Sequence, residues 1–293
     1  MTGPSAIRTS ALLSPALLAI VLLIGAPLGL MAWISLLEKG GTSGVDWSSA
    51  PSLANYIRLV WEEDFDGTMI VNTTYLTIFL RSVAQAAVTT ILCLVLGLPV
   101  ALWMAGLSRS NREIMLLVIT IPFWTNLLVR NYAWLIILRE DGWTAQFVNA
   151  VLPFGPVQLL YNDIAVAIGL TYSFLPFMIL PIYTVFEKFD WRLVEAAHDL
   201  GANRRRALKR VVLPIATSGI VAGCLLVFIP CLGAFVTPAL LGGGRTLMLG
   251  NIIQMQFGAS RNWPFGAALS VVLLSLMLIA MTGMALWRNR RAA

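Results

Sequence analysis

Uncharged apolar runs alternate with short polar interruptions along the chain, and the runs are all of membrane-crossing length. Ala11 to Leu37 carries no charged residue over 27 positions, and about 20 apolar residues suffice to cross a hydrocarbon core of about 30 Å. Further blocks at 72–107, 114–138, 164–186, 214–236 and 264–287 predict five more spans. Arg81 interrupts the second and Arg130 the third, and Pro122 predicts a kink in the third. Pro238 and the glycines at 242–244 stop the fifth. Alternating segments of about ten residues, the mark of a membrane barrel, do not occur. The pattern predicts an all-α polytopic membrane protein, one domain over 1–293 with six transmembrane helices. The first block exceeds the 7 to 15 residues typical of a leader core, which predicts a retained span.

The polar interruptions differ in size. Residues 38–68 hold Gly40, Gly41, Gly44, Pro51 and the acidic run WEEDFDG, predicting a solvated loop with one short surface helix around Leu53 to Trp61. Residues 139–163 mix charge with Pro153, Gly155 and Pro156, predicting a loop with a short interfacial or re-entrant helix. The stretch from Arg245 to Arg261 is too short to cross. Only SRSNRE separates the second and third spans.

Composition agrees with this outline: 58% of residues are hydrophobic and 12% charged, against about one-quarter charged in soluble domains. The charge of +6 follows from topology. With both termini, the 108–113 turn and the 187–213 loop on one side, 13 of the 20 Lys and Arg lie there, but only 5 of the 14 acids. Basic residues in short loops mark the cytoplasmic side, so both termini are expected in the cytoplasm, and nucleic acid is not an expected partner. Cys93, Cys224 and Cys231 lie in apolar blocks without metal-ligand spacing and read as small buried hydrophobes.

Catalytic signatures do not appear. The chain has no GxxxxGK[ST], HExxH or GxSxG, and its single histidine, His198, has no nearby metal-ligand partners. The expectation is a chain that is not an enzyme and binds no cofactor or metal of its own.

The most informative polar stretch is EAAHDLGANRRRALKRVVLP, Glu195 to Pro214. Glu195, Ala196 and Ala197 open a helical segment with Asp199 one turn after Glu195. Gly201 permits a turn that a β-carbon would resist. A basic amphipathic helix follows, and Leu213-Pro214 begins the next span, since proline is tolerated in a first turn. The expected result is a helix, turn and helix along the cytoplasmic surface. Its small residues admit a protein partner, and its cations suit anionic membrane lipid.

This stretch resembles the EAA motif of the inner-membrane permease subunits of ABC importers: EAA, three residues, G, nine residues, then I, any residue, L and P. Val211 stands where isoleucine is usual. IPFWTNLLVRNYAW at 121–134, FLPFMILPIY at 174–183, AGCLLVFIPCLGAFVTPALLGG at 222–243 and NWPFGAALS at 262–270 extend the resemblance to the spermidine/putrescine importer group.

The resemblance implies a type I ABC importer permease fold in a bacterial inner membrane. The 187–213 loop would be the coupling element, with Glu195, Ala196, Ala197, Asp199, Gly201, Leu213 and Pro214 contacting the motor. It also implies a dimer of ATP-binding subunits that holds ATP and Mg, a second homologous permease subunit, an extracytoplasmic solute-binding protein, and a polyamine as the solute.

A polyamine path needs carboxylates, carbonyls and aromatic faces, the last through cation-π attraction of about 0.5 to 2 kcal/mol. Glu140, Asp141 and Asp163 are candidates at the outer mouth, with Trp124, Asn126, Tyr132, Trp134 and Tyr172 deeper in. Arg81 and Arg130 complicate this path. A charge in a bilayer costs about 2.5 to 3.5 kcal/mol on insertion scales, so each should face protein or a cavity. Each has three readings: pairing with acids, bonding free carbonyls, or binding a solute carboxylate. The last would make the solute an amino acid, an opine or another anionic compound. A carrier not driven by ATP is the competing class.

Overall fold

A chain immersed in hydrocarbon must satisfy its backbone hydrogen bonds internally, which favours long helices, and these dominate the computed structural model. It describes residues 14–15, 18–41, 44–63, 66, 68–151 and 158–292. Arg8, the first positions of the 11–37 block, Asp64 and the turn formers Pro153, Gly155 and Pro156 lie outside the described residues.

The helices are α1 (Leu18–Ile34), α2 (Ala54–Val60), α3 (Thr73–Ala105), α4 (Arg109–Trp124), α5 (Leu127–Ile137), α6 (Trp143–Val151), α7 (Asp163–Glu187), α8 (Arg192–Asp199), α9 (Arg204–Leu232), α10 (Val236–Leu241), α11 (Leu249–Phe257) and α12 (Trp263–Ala292). Among the described residues, α3, α7, α9 and α12 are each long and apolar enough to cross a bilayer. The pair α4 and α5 makes a fifth span if counted as one, and α1 is a shorter apolar helix. Residues 38–71 also hold a two-stranded antiparallel ribbon, β1 (Trp61–Glu63) and β2 (Met69–Val71), which pairs Trp61 with Val71.

Two expectations change. The 114–138 block is two helices meeting at 90°, and the break falls after Trp124, leaving Pro122 inside α4. A proline removes one backbone donor, whereas Asn126 starts a new helix. Its backbone is outside the helical region and its side chain accepts the Leu128 N–H at 2.8 Å. The Thr125 hydroxyl closes the old helix by donating to the Pro122 carbonyl at 2.7 Å.

The basic helix after Gly201 does not lie along the surface either. It runs straight into the fifth span as one helix, α9. A widened π turn over Leu208–Val212 comes just before Pro214, where a proline in a regular helix would leave a carbonyl unpaired.

The chain forms two compact units, residues 1–76 with 252–293, and residues 77–251. In the first, α12 packs on α1 and α2, and Ile34, Leu37, Val45 and Ala267 form a small core. Asn55 fastens this unit by donating to the carbonyls of Ser35 at 2.9 Å and Leu37 at 2.8 Å.

In the second unit, α7 and α9 form the central pair. Lipid supplies little hydrophobic drive between helices, so close packing relies on small residues. A β-carbon on Gly219 would come within 2.7 Å of the Pro181 carbonyl, and one on Gly223 within 3.2 Å of the Met178 carbonyl. Around this seam Cys93, Met104, Met178, Ile182, Phe186, Ala216, Val227 and Cys231 are buried together; Cys93 and Cys231 thus behave as small buried hydrophobes, while Cys224 packs against the cluster half-buried.

Candidate functional site

Two places concentrate the residues singled out by the sequence, and both belong to the second unit. The first is the turn between α8 and α9. Asp190 Oδ1 accepts the Arg192 N–H at 3.0 Å at the start of α8. The far end closes with paired bonds: the Gly201 N–H donates to the His198 carbonyl at 2.8 Å, and the Ala202 N–H to the Ala197 carbonyl at 2.9 Å. This is the Schellman arrangement, which needs a left-handed residue at its bend, and Gly201 has φ of +82°. Two residues on, Asn203 Oδ1 accepts the Arg206 N–H at 2.9 Å and starts α9. His198 Nδ1 lies 2.8 Å from the Ala202 carbonyl, further tying the turn.

The turn is presented outward. Glu195, Ala196, Asp199 and Gly201 are exposed and Ala197 is half-buried, while Val194 packs inward on the core. Leu200, which the motif reading passed over, stands at the apex with 88% of its surface exposed. Leu213 and Pro214 lie within α9 beyond the π turn, away from this apex in sequence and one of them half-buried. The structure therefore gathers Glu195 to Gly201 into one small surface, exposed except at half-buried Ala197.

The second place is a cavity of about 290 Å³ lined by α4, α5, α7, and the junction of α9 with α10. Phe123, Phe174, Phe177 and Phe235 provide aromatic walls, and Arg130, Ser173 and Thr237 the polar ones. Ser173 to Phe177 lie about 15 to 21 Å along α7 from its start at Asp163, well within the depth of a bilayer. Two helix breaks border it: Phe123 and Leu127 flank the first, and Gly233 to Phe235 form the second. Discontinuous membrane helices facing a cavity are a recurring way to build a solute site.

The two arginines part company. Arg81 is held by the protein: its Nε is 3.9 Å from Asp163 Oδ1, and Nη1 donates to the Arg245 carbonyl at 3.1 Å. Gln85, one turn on, donates to the Asp163 carbonyl at 3.0 Å. Asp163 is thus the partner of Arg81 and is not a free carboxylate. Arg130 lines the cavity, its guanidinium carbon 5.9 Å from the Phe123 ring centre. Its Nε, like the Oδ1 of neighbouring Asn131, is buried without a hydrogen-bond partner.

The other path candidates do not line the cavity. Trp124 is 83% exposed, Asn126 is spent on its cap, and Tyr132 is exposed. Tyr172 stacks edge-on against Trp134 at 5.6 Å. Asp141 lies 3.9 Å from Arg139, with both side chains largely in solvent.

Comparison with known proteins follows the same outline. The family model for the binding-protein-dependent transport system inner membrane component matches residues 97–292. The spermidine/putrescine transport system permease protein PotB of Haemophilus influenzae is 42% identical over 213 residues, covering 72% of this chain and 74% of that protein. PotB of Escherichia coli is 38% identical over 239 residues, covering 81% and 86%. The inner membrane ABC transporter permease protein YdcU of Escherichia coli is 29% identical over 270 residues. In three dimensions the chain is similar to a chain of a bacterial ABC transporter involved in import of the acidic polysaccharide alginate. The TM-score is 0.66 at 13% identity, over 95% of this chain and 96% of that one.

Proposed function

This chain belongs to the binding-protein-dependent transport system inner membrane components, and from that premise we propose that its solute is a polyamine of the spermidine and putrescine class. As a member of that family it is a permease subunit of an ABC importer in the inner membrane, a transport component and not an enzyme. An ATP-independent carrier is thereby set aside. The relatives named for spermidine and putrescine share 38 to 42% identity over most of the chain, and that likeness carries the solute assignment.

The mechanism proposed has four parts. An extracytoplasmic binding protein delivers the solute to this permease paired with a second, homologous one. Two partner ATPase subunits hold ATP and Mg and close against the α8 turn, which faces the cytoplasm together with both termini. Glu195, Ala196, Ala197, Asp199 and Gly201 form the contact, with Leu200 as an apolar anchor. Leu213 and Pro214 act behind it, where the π turn joins the contact to the membrane helix. The observation carrying this reading is that Glu195, Ala196, Asp199 and Gly201 lie exposed together on one turn closed by a Schellman pair of hydrogen bonds.

One observation favours a second solute class. Arg130 lines the cavity and its Nε has no partner, a donor that suits a hydrogen-bond acceptor, which a protonated polyamine lacks and an amino acid or opine supplies. Titration of the cognate binding protein with spermidine, putrescine and a panel of amino acids, followed by ATP-driven uptake in proteoliposomes, separates the two. Uptake of a carboxylate solute with none of spermidine would overturn the polyamine assignment.

A further inference from the structure

Helix α9 is longer than the hydrocarbon core it enters. Its 29 residues rise about 43 Å, and the uncharged run from Val211 to Leu232 accounts for about 33 Å of that. The hydrocarbon core is about 30 Å thick and head groups bring a bilayer to about 40 to 45 Å. Arg204 to Arg210 therefore stand in the head-group layer, beginning three residues after Gly201.

Five of those seven residues are cations: Arg204, Arg205, Arg206, Lys209 and Arg210. All five are exposed, and among the described residues none of them forms an ion pair. Ala207, 2% exposed, marks the inward side of the helix. A step of about 100° per residue puts Arg205 and Lys209 each about 160° from Ala207, so both point directly away from the core. This surface differs from the α8 turn. The turn offers small and apolar groups, Ala196 and Leu200, whereas the collar offers charge at the depth of lipid phosphates.

We propose that this basic collar binds the phosphates of anionic phospholipids in the cytoplasmic leaflet, and that the bound head groups brace the 200–203 turn against the load of the motor. Each cation close to an anionic leaflet strengthens the attraction several-fold, so losing Arg205 and Lys209 together should weaken it by more than about tenfold. The proposal rests on the cytoplasmic placement of the α8 turn given above.

The test uses the complete transporter, with its ATPase and binding protein, in nanodiscs of phosphatidylcholine with or without phosphatidylglycerol. Native mass spectrometry reads retained lipid, and binding-protein-stimulated ATP hydrolysis reads coupling. The wild type should retain phosphatidylglycerol and gain several-fold in stimulated hydrolysis. The Arg205→Gln/Lys209→Gln double variant should lose both, with thermal stability in phosphatidylcholine unchanged. Arg205→Lys/Lys209→Arg should keep both.

Equal lipid retention and stimulation in the neutral double variant would overturn the proposal. So would release of the ATPase from that variant in phosphatidylcholine, which would assign the collar to the motor interface, or full replacement of the lipid effect by inorganic phosphate. Labelling of a Leu200→Cys variant with an impermeant maleimide from each side of the membrane reports the orientation independently. Labelling from the outer side alone would overturn the placement itself, whatever the collar binds.

Discussion

The Arg112 guanidinium lies 3.8 Å from the Glu187 carboxylate, joining the first turn of α4 to the last residue of α7, where the chain leaves for α8. The pair is part of a larger knot. Tyr183 donates to Glu187 Oε1 at 3.1 Å, and Arg112 Nη2 donates to the carbonyls of Ala105 at 3.3 Å and Leu107 at 3.2 Å.

The two partners should not be equivalent. Glu187 is 45% exposed at its side chain, so Glu187→Gln is expected to cost less than about 1 kcal/mol. Arg112→Ala also strips two backbone acceptors of their donor and is expected to cost about 1 to 3 kcal/mol. Thermal unfolding of the purified complex should rank Arg112→Ala clearly below Glu187→Gln. Equal midpoints would show that the carbonyl contacts contribute nothing.

Gly201 offers a test that separates backbone shape from crowding. Nothing lies within 4 Å of where its β-carbon would sit, yet its φ is +82°. A left-handed conformation costs an ordinary residue about 1 to 2 kcal/mol and is least costly for Asn. Gly201→Val should lose most ATP-driven uptake while the protein still inserts, and Gly201→Asn should retain most of it. If both variants fail alike in a proteoliposome assay, the turn geometry is not what matters.

Arg81 and Arg130 should respond differently to the same change. Arg81 is engaged by Asp163 and the Arg245 carbonyl, so Arg81→Gln should lower thermal stability modestly and leave the KM for uptake within about twofold, the scale of a surface pair. Arg130→Gln removes a positive charge from the cavity. The KM should fall if the solute is a polyamine, because a like charge is gone, and rise if the solute carries a carboxylate, because an attractive partner is gone. An unchanged KM for both variants would remove Arg130 from the solute path.

The α7 and α9 seam predicts a strong position effect among glycines. Gly219→Val drives side-chain atoms into the backbone of Pro181 and Ile182, and overpacking of this kind costs about 1 to 3 kcal/mol or more. Gly29→Val, where nothing lies within 4 Å, should be nearly silent. Size-exclusion profiles of the two variants in detergent should show aggregation only for the first; a well-behaved Gly219→Val protein would mean that the helices can separate freely.

What the chain reveals on reading alone depends on whether a residue has a local reason to be there. Gly201 was legible because the motif spacing puts a glycine where a helix must turn, and a turn of that hand needs one. The break before Asn126 was not, because Pro122 is the conspicuous residue, yet it sits comfortably inside α4 while the quieter Thr125 and Asn126 end one helix and begin another. Pro214 misled in the same manner. It suggests the start of a helix, but the π turn ahead of it lets α9 pass straight through.

The solute path was harder still. In a membrane protein both the lipid face and the interior are apolar, so periodicity does not say which side of α4 or α5 turns inward. Trp124 proved exposed and Phe123, its neighbour, lines the cavity. Arg81 and Asp163 lie far apart in the chain, so pairing with an acid is only one of three readings that sequence leaves open to Arg81, and their contact is a product of the fold. Asn203, by contrast, was findable: an Asn directly before a basic helical run is a cap by residue type alone.

The unbroken passage of α9 from Arg204 to Leu232 makes it a lever. A rod about 43 Å long that tilts by about 5° at its base carries its far end sideways by about 4 Å. The far end of this rod is the rim of the cavity, at Pro230 and Gly233. Under the proposed coupling, a push on the turn beside Arg204 would reach that rim through a single helix. An irregularity in that rod, the π turn over Leu208–Val212, sits close to its base.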